Sequence, residues 1–307
     1  MTNNGIVVVG SSNIDLRIKT KKMPSPGETV LGGSFDKFSG GKGANQAIAI
    51  ARWGRKVTFI SKIGNDSFGK EVIELYKKDN INTEYIFIDK VSPTGVALIM
   101  VDEKGENIIS VASGANATLS IENINSIIRE IEVASIILMQ LEIPLQTVEH
   151  IAKIAADKNI KVVLNPAPMT NLSDDLLSSL YAIIPNKIEA EWLSGIKIVD
   201  WNTAKRAADL ISRKGVEVVV ITLGAKGAII KEKNCYHEIP GIKVQAVDTT
   251  AAGDTFCGVF TVGLSEGMSV KDSVEMATKA ASICVTREGA QSSIPFRKEL
   301  TKIIINK

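Results

Sequence analysis

Asp254 sits in the run Asp248-Thr249-Thr250-Ala251-Ala252-Gly253-Asp254-Thr255-Phe256, where small and polar residues interrupt an apolar pattern. Beyond it Phe256, Val259, Phe260 and Leu264 recur at helical spacing, which predicts that Gly253 and Asp254 begin a helix packed by its apolar face. A helix start without bulky side chains presents bare backbone N–H groups to an anion. A carboxylate beside such a site suits a base that takes a proton from a hydroxyl next to a phosphate. An aspartate that only caps the helix fits the same residues equally well.

Two further segments carry groups suited to binding hydroxyls. Gly40-Gly41-Lys42-Gly43-Ala44-Asn45-Gln46 leads into a helical pattern with Ala44, Ala47, Ile48 and Ala51 on one face. Glycines let a ligand approach the backbone closely, and Lys42 and Asn45 offer hydrogen bonds. The segment is not a P-loop: Gly43 follows Lys42 where Ser or Thr is required, and Asp36 stands at the first glycine position. Nor is it a dinucleotide fingerprint, because Gln46 occupies the third glycine position. A loop that merely turns the chain is the competing reading. In Gly10-Ser11-Ser12-Asn13-Ile14-Asp15, Asn13 and Asp15 are two apart, so an extended chain points both to one side. An amide and a carboxylate facing one way suit vicinal hydroxyls, and an Asx turn is the alternative.

The elements that must position these groups are short apolar runs: Ile6–Val9, Ile136–Met139, Val162–Leu164, Ala182–Ile184 and Val218–Ile221. Such runs suit central parallel strands. Helical patterns lie between them, one carrying Ala204, Ala207, Ala208 and Ile211 and stopped by Gly215. The alternation predicts an α/β fold, a Rossmann-like, mostly parallel sheet with helices on both faces. Polar residues follow four strands in series: Gln140 and Glu142, then Asn165, then Asn186 and Glu189, then Thr222 and Gly224. In open α/β sheets ligands bind beyond the carboxyl ends of the strands. Two segments, about 15–38 and 85–113, are β-rich without helices between them. They read as a small β-sheet lid on a single domain spanning 1–307. Val96–Val101 and Asn107–Ser113 flank a hairpin turn at Gly105.

Composition limits the chemistry. The 307 residues are 45% hydrophobic, with a net charge of +2, too balanced to suggest a nucleic-acid or anionic membrane partner. No signal peptide or membrane-length apolar run is evident. Three cysteines (Cys235, Cys257, Cys284) match neither a disulfide framework nor a zinc site, so a reducing cytoplasm fits. Only two histidines occur, His150 in a polar helical context and His237 in an expected surface hairpin. That leaves little for a two-histidine zinc centre or a Ser-His-Asp triad.

Taken together, Gly41 to Gln46 and Asp248 to Phe256 resemble the two signatures of the ribokinase-like (PfkB) carbohydrate kinases. The resemblance runs along nearly the whole chain, through Asn13 and Asp15, Pro26-Gly27-Glu28-Thr29, Gln140-Leu141-Glu142, Leu164 to Pro168, Pro185-Asn186 to Glu189, Thr222-Leu223-Gly224 and Gly289-Ala290-Gln291. It implies ATP-dependent phosphorylation of D-ribose at the 5-hydroxyl, with ribose bound by Asn13, Asp15, Gly41, Lys42, Asn45 and Glu142. Asp254 would be the base, and the N–H groups of Ala252, Gly253 and Asp254 the anion hole. Asn186 and Glu189 would help place Mg²⁺ and phosphates, with Thr222, Leu223 and Gly224 lining the nucleotide pocket. A monovalent cation, K⁺ by similarity, would sit by Asp248, Thr250, Cys284, Arg287, Gly289 and Ser293. The resemblance also implies a homodimer formed through the lids. Thr278 stands where many relatives have Asn or His near the adenine, so no contact is carried over there. A kinase for 2-deoxyribose or a nucleoside is the related alternative, and a non-catalytic sugar-binding regulator the unrelated one. Asn13 favours ribose, because its amide can satisfy a 2-hydroxyl.

Overall fold

The computed structural model describes residues 5–300. The expected span of 1–307 therefore includes residues 1–4 and 301–307, which lie outside the described residues. Along the chain the strands are β1 (Ile6–Val9), β2 (Asn13–Lys19), β3 (Ser34–Gly40), β4 (Val57–Gly64), β5 (Ile86–Asp89), β6 (Gly95–Val101) and β7 (Asn107–Ala112). They continue as β8 (Ile136–Met139), β9 (Lys161–Leu164), β10 (Ala182–Ile183), β11 (Val218–Thr222), β12 (Gly227–Glu232) and β13 (Cys235–Pro240).

Nine strands make one sheet in the order β13-β12-β11-β10-β9-β8-β1-β4-β5. Its pairings from β11 to β5 are parallel. The β12–β13 hairpin extends it antiparallel at one edge. The central strands are apolar on both faces because helices cover both. Ile6 and Val8 of β1 join one core cluster, Val7 and Val9 the other. This is the period-2 alternation of a strand buried on both sides. Helices Lys42–Arg52 and Ala252–Ser265 contribute Ile48 and Phe260 to the first cluster. Helices Leu145–Asp157 and Trp201–Ser212 contribute Ile151 and Ile211 to the second. The first two helices approach closely at Gly258, where a Cβ would stand 2.7 Å from Ala49 Cβ and 2.8 Å from the Gln46 carbonyl oxygen.

The order reverses at β1, which lies between β4 and β8. A crevice at the carboxyl ends of such strands is where an open α/β sheet receives ligands. A second sheet, β3-β2-β6-β7, grows directly from the β1 end of this crevice. Its β2–β3 and β6–β7 pairs are antiparallel and its β2–β6 pair parallel. The segment 85–113 is divided between the two sheets. Ile86–Asp89 pairs with β4 in the large sheet, so the small sheet takes only Gly95 onward from that segment. An alternating strand reads alike in either sheet, and only the partner decides.

Candidate active site

The helix Ala252–Ser265 begins at Ala251, whose φ of 59° is left-handed and whose side chain caps nothing. Asp254 therefore lies inside the first turn and is not the cap. It is 7% exposed. Its Oδ2 accepts from Asn45 Nδ2 at 2.9 Å and its Oδ1 from Gln46 Nε2 at 3.1 Å. Both donors belong to the first turns of helix Lys42–Arg52, so the two signature segments meet at this carboxylate. Gln46 is itself held: Gln140 Nε2 donates to its Oε1 at 2.6 Å, and its Nε2 also reaches Asn165 Oδ1 at 3.3 Å. Asn165 in turn donates to the Ile184 carbonyl at 3.1 Å. Gln140 and Asn165, at the carboxyl ends of β8 and β9, and Gln46 of the helix form a buried polar floor. Gln46, Gln140 and Asn165 thus belong to the site, although their types alone assign them no role.

The first-turn N–H groups of a helix lack intrahelical acceptors. That of Ala252 turns back to the Thr249 carbonyl at 3.3 Å. Gly253 opens onto free space, since a Cβ there would meet no heavy atom within 4 Å. The helix start accordingly offers a concave, positively polarised surface next to a buried carboxylate.

Glu142 follows β8 and accepts from Ser11 Oγ at 2.5 Å and from the Lys42 N–H at 3.1 Å. Asp15 on β2 faces the same space. Burial first, then Glu142 and Asp254, push its carboxyl up to about 7 against the opposing pull of Lys42. Burial works against the Lys42 ammonium, but Asp254, Glu142 and Glu189 outweigh it and hold Lys42 above the ordinary lysine value. One cation thus sits among the carboxylates, in a setting where charges are weakly screened.

Asn186 and Glu189 form a reciprocal cap at the helix Lys187–Ser194. Asn186 Oδ1 accepts from the Glu189 N–H at 2.9 Å, and Glu189 Oε2 from the Asn186 N–H at 2.8 Å. Glu189 is 6% exposed, and burial raises its carboxyl. Thr222 lies beside Asn186 through an isolated parallel bridge.

The six positions expected around a monovalent cation fall on two facing segments. Asp248 Oδ1 accepts from the Thr250 N–H at 2.9 Å and from Thr250 Oγ1 at 2.6 Å, while Oδ2 accepts from the Gly289 N–H at 3.0 Å. Cys284 Sγ lies 3.1 Å from Ser293 Oγ and 3.7 Å from the Thr250 carbonyl oxygen. The Arg287 side chain instead pairs with Glu299 at 2.6 Å, so only its backbone is free to serve. Among the described residues no group of three or more His, Cys, Asp and Glu side chains is arranged to hold a metal ion.

One open cleft of about 1550 Å³ gathers these groups. It is lined by Asn13, Asp15, Gly41, Lys42, Asn45 and Glu142, by Asn186, Glu189, Thr222, Leu223 and Gly224, and by Asp248, Thr250, Gly253, Asp254 and Gly289. Ala252, Cys284, Arg287 and Ser293 are not among its lining residues. Asn116, which had no distinguishing sequence signal in Gly114-Ala115-Asn116, is not among them either and lies against Asn13 at 2.7 Å. Thr278 donates back to the Val274 carbonyl at 2.8 Å and does not line the cleft.

Comparison with known proteins places this arrangement. The sequence pattern of the pfkB family of carbohydrate kinases matches residues 3–297. A ribokinase of Haemophilus influenzae is 46% identical over 299 residues, covering 97% of this chain and 98% of that protein. A deoxyribokinase of Salmonella typhimurium is 35% identical, covering 97% and 98%. The structure of Arabidopsis thaliana ribokinase complexed with ribose and ATP superposes with a TM-score of 0.91 at 31% identity, covering 99% of each chain.

Proposed function

This chain belongs to the pfkB family of carbohydrate kinases, and on that premise we propose that it transfers the γ-phosphoryl group of ATP to the 5-hydroxyl of D-ribose. One observation carries the reading: a buried carboxylate, Asp254, is fixed by two amide donors in the first turn of a helix whose start is bare at Gly253. That pairing suits a hydroxyl losing a proton beside a phosphoryl group. Asp254 takes the proton of the 5-hydroxyl as that oxygen attacks the γ-phosphorus. The N–H groups at Ala252, Gly253 and Asp254 stabilise charge on the group in transfer. Phosphoryl transfer needs positioning and electrostatics more than covalent catalysis, which agrees with a cleft lined by no histidine.

Ribose is held by Asn13, Asp15, Gly41, Lys42, Asn45 and Glu142. Asn45 Oδ1 is buried without a partner, an acceptor that a sugar hydroxyl would satisfy. The hard oxygens of Asn186 and Glu189 suit the Mg²⁺ that accompanies ATP, whose charge neutralises the phosphates. Thr222, Leu223 and Gly224 form the nucleotide side. Around Asp248, Thr250, Cys284, Arg287, Gly289 and Ser293, backbone and side-chain oxygens suit a monovalent cation that would order the loop before the anion hole. The small sheet acts as a lid that excludes water.

Its outer face carries Ile18, Phe35, Leu98 and Ile108, exposed by 44–63%. An apolar surface of this kind suits a homodimer; a monomeric mass by light scattering would count against it. Three free cysteines, two of them buried, suit a reducing cytoplasm, and no described helix is long and apolar enough to cross a membrane.

The test is ADP release over a panel of sugars, with and without K⁺. The reading expects ribose to be the best substrate and K⁺ to stimulate it. The Salmonella relative makes 2-deoxyribose the informative competitor. Sugar binding without ATP turnover would instead indicate a regulator.

A further inference from the structure

The backbone of Ser12 has one N–H and one C=O, and neither can exchange roles. The N–H donates to Asn116 Oδ1 at 2.9 Å. The C=O accepts from Asn116 Nδ2 at 3.1 Å. These two contacts fix which end of the Asn116 amide is oxygen and which nitrogen. The second hydrogen of Nδ2 then points at Asn13, 2.7 Å away. Only an acceptor satisfies it, so Asn13 must turn Oδ1 towards Asn116 and Nδ2 away.

The arrangement is tight. Asn13 and Asn116 are 3% and 2% exposed. Gly95, the register partner of Asn13 in the small sheet, is bare where the two amides meet. A Cβ on it would stand 2.2 Å from Asn13 Oδ1 and 2.4 Å from Asn116 Nδ2. Asn13 lines the cleft, and its Nδ2 has no protein acceptor among the described residues. Asp15, two residues on, lines the same cleft and offers only acceptors while ionised.

We propose that Asn116 is a positioning residue for sugar selection: the Ser12 backbone, acting through Asn116, locks Asn13 so that it shows the cleft a donor and never an acceptor. The proposal rests on the reading of this chain as a ribose kinase. A hydroxyl meets the demand, because its oxygen accepts from Asn13 Nδ2 while its proton is free for Asp15. A sugar with a methylene at that carbon leaves Nδ2 buried and unpaired. Missing partners of this kind discriminate more strongly than missing volume. Asn116 touches no sugar in this scheme, yet selection for the hydroxyl depends on it.

The experiment compares kcat/KM for ribose and for 2-deoxyribose in the native protein, Asn116→Ala, Asn116→Asp, Asn13→Ala and the Asn13→Ala/Asn116→Ala double variant. A misfolded fraction lowers both specificity constants equally, so their ratio reports selection alone. Asn116→Ala releases the Asn13 amide and is expected to lower the ribose preference about tenfold, the size of one hydrogen bond. The loss should appear in the ribose KM, with kcat little changed. Asn116→Asp still accepts from the Ser12 N–H but can no longer donate, so Asn13 turns its oxygen to the cleft and the ratio falls at least as far. In the Asn13→Ala background, adding Asn116→Ala should change the ratio no further. Unchanged ratios in both Asn116 variants, or additive losses in the double variant, overturn the proposal. A native protein that shows no preference for ribose overturns the ribose reading itself, which is a distinct outcome.

Discussion

Asp254→Asn separates the chemistry of the carboxylate from its packing. The two oxygens accept from Asn45 at 2.9 Å and from Gln46 at 3.1 Å. The variant keeps one of these bonds and sets an NH₂ against an NH₂ at the other. Losing a bond to a charged group costs about 1.5–3 kcal/mol. Part of that is offset, because Asp254 is one of the charges that destabilise ionised Asp15. The net cost to the fold is then about 1–2 kcal/mol, and the melting temperature should fall by no more than about 8 °C. Turnover should suffer far more. General-base assistance is worth about 10²–10⁴ in rate, or about 3–5 kcal/mol of barrier. The sugar KM should change less than about tenfold, since the other ribose contacts persist and a single lost hydrogen bond is worth about that factor. The assay is ADP release at saturating ribose and ATP, beside a thermal melt of the same sample. A folded variant whose kcat lies within tenfold of the native value would refute the general-base assignment.

Other substitutions test other parts of the cleft. Gly253→Ala adds a Cβ into open space, so the fold should gain about 0.5–1 kcal/mol from a better helix residue. The same methyl should crowd an incoming phosphate, and kinetics should show an enzyme that melts higher but turns over at least about tenfold more slowly, a barrier increase of about 1.4 kcal/mol. Asp15 is neutral below about 7, with burial first, then Glu142 and Asp254, raising it and Lys42 opposing them. A rate–pH profile should therefore show kcat/KM for ribose rising through that value, and Asp15→Asn should flatten this limb. The stability sign is opposite. The folded value lies above the ordinary aspartate value of 3.8, so this contribution is whole below about pH 4 and is lost as pH rises through 7. At pH 8 Asp15→Asn should accordingly melt above the native protein. Asp248→Asn weakens the junction with Thr250 and Gly289; the K⁺ concentration for half-activation should rise, and an unchanged K⁺ titration would argue against a cation there.

The large-scale order was legible because it depends on local pattern. Ile136–Met139 forms the strand its apolar run predicts, and the polar residues after four strands line one cleft, except Gln140, which is buried beneath it. What the pattern could not supply is pairwise. Asp254 reads equally as a cap or a base until the left-handed Ala251 is seen to hold the cap position. Asn186 and Glu189 have phosphate-end roles by resemblance, but their spacing also builds a capping box, which the structure displays. Ile86–Asp89 alternates like a lid strand yet pairs with β4. Gln46 meets partners from distant strands, and Asn116 finds Ser12 and Asn13 about a hundred residues away. An amide has no periodicity that would mark such a partner in advance.

The contact at Gly258 has a mechanical consequence. The helix bearing Asp254 and the helix bearing Asn45 and Gln46 touch where even a methyl group would collide. They are welded along that seam, so the carboxylate and the residues beside it keep one register whatever the small sheet does. A swing of that sheet would have to be absorbed at its tethers, just after Asn13, at Gly40–Gly41, at Pro93 to Gly95 and at Ser113–Gly114, where chain passes between the two bodies. The proposed base, Asp254, then belongs to the stationary frame. Asn13, held to Asn116 beyond the last tether, stays with that frame, whereas Asp15 lies on the small sheet, so closure would carry Asp15 towards a proposed base that is already in place.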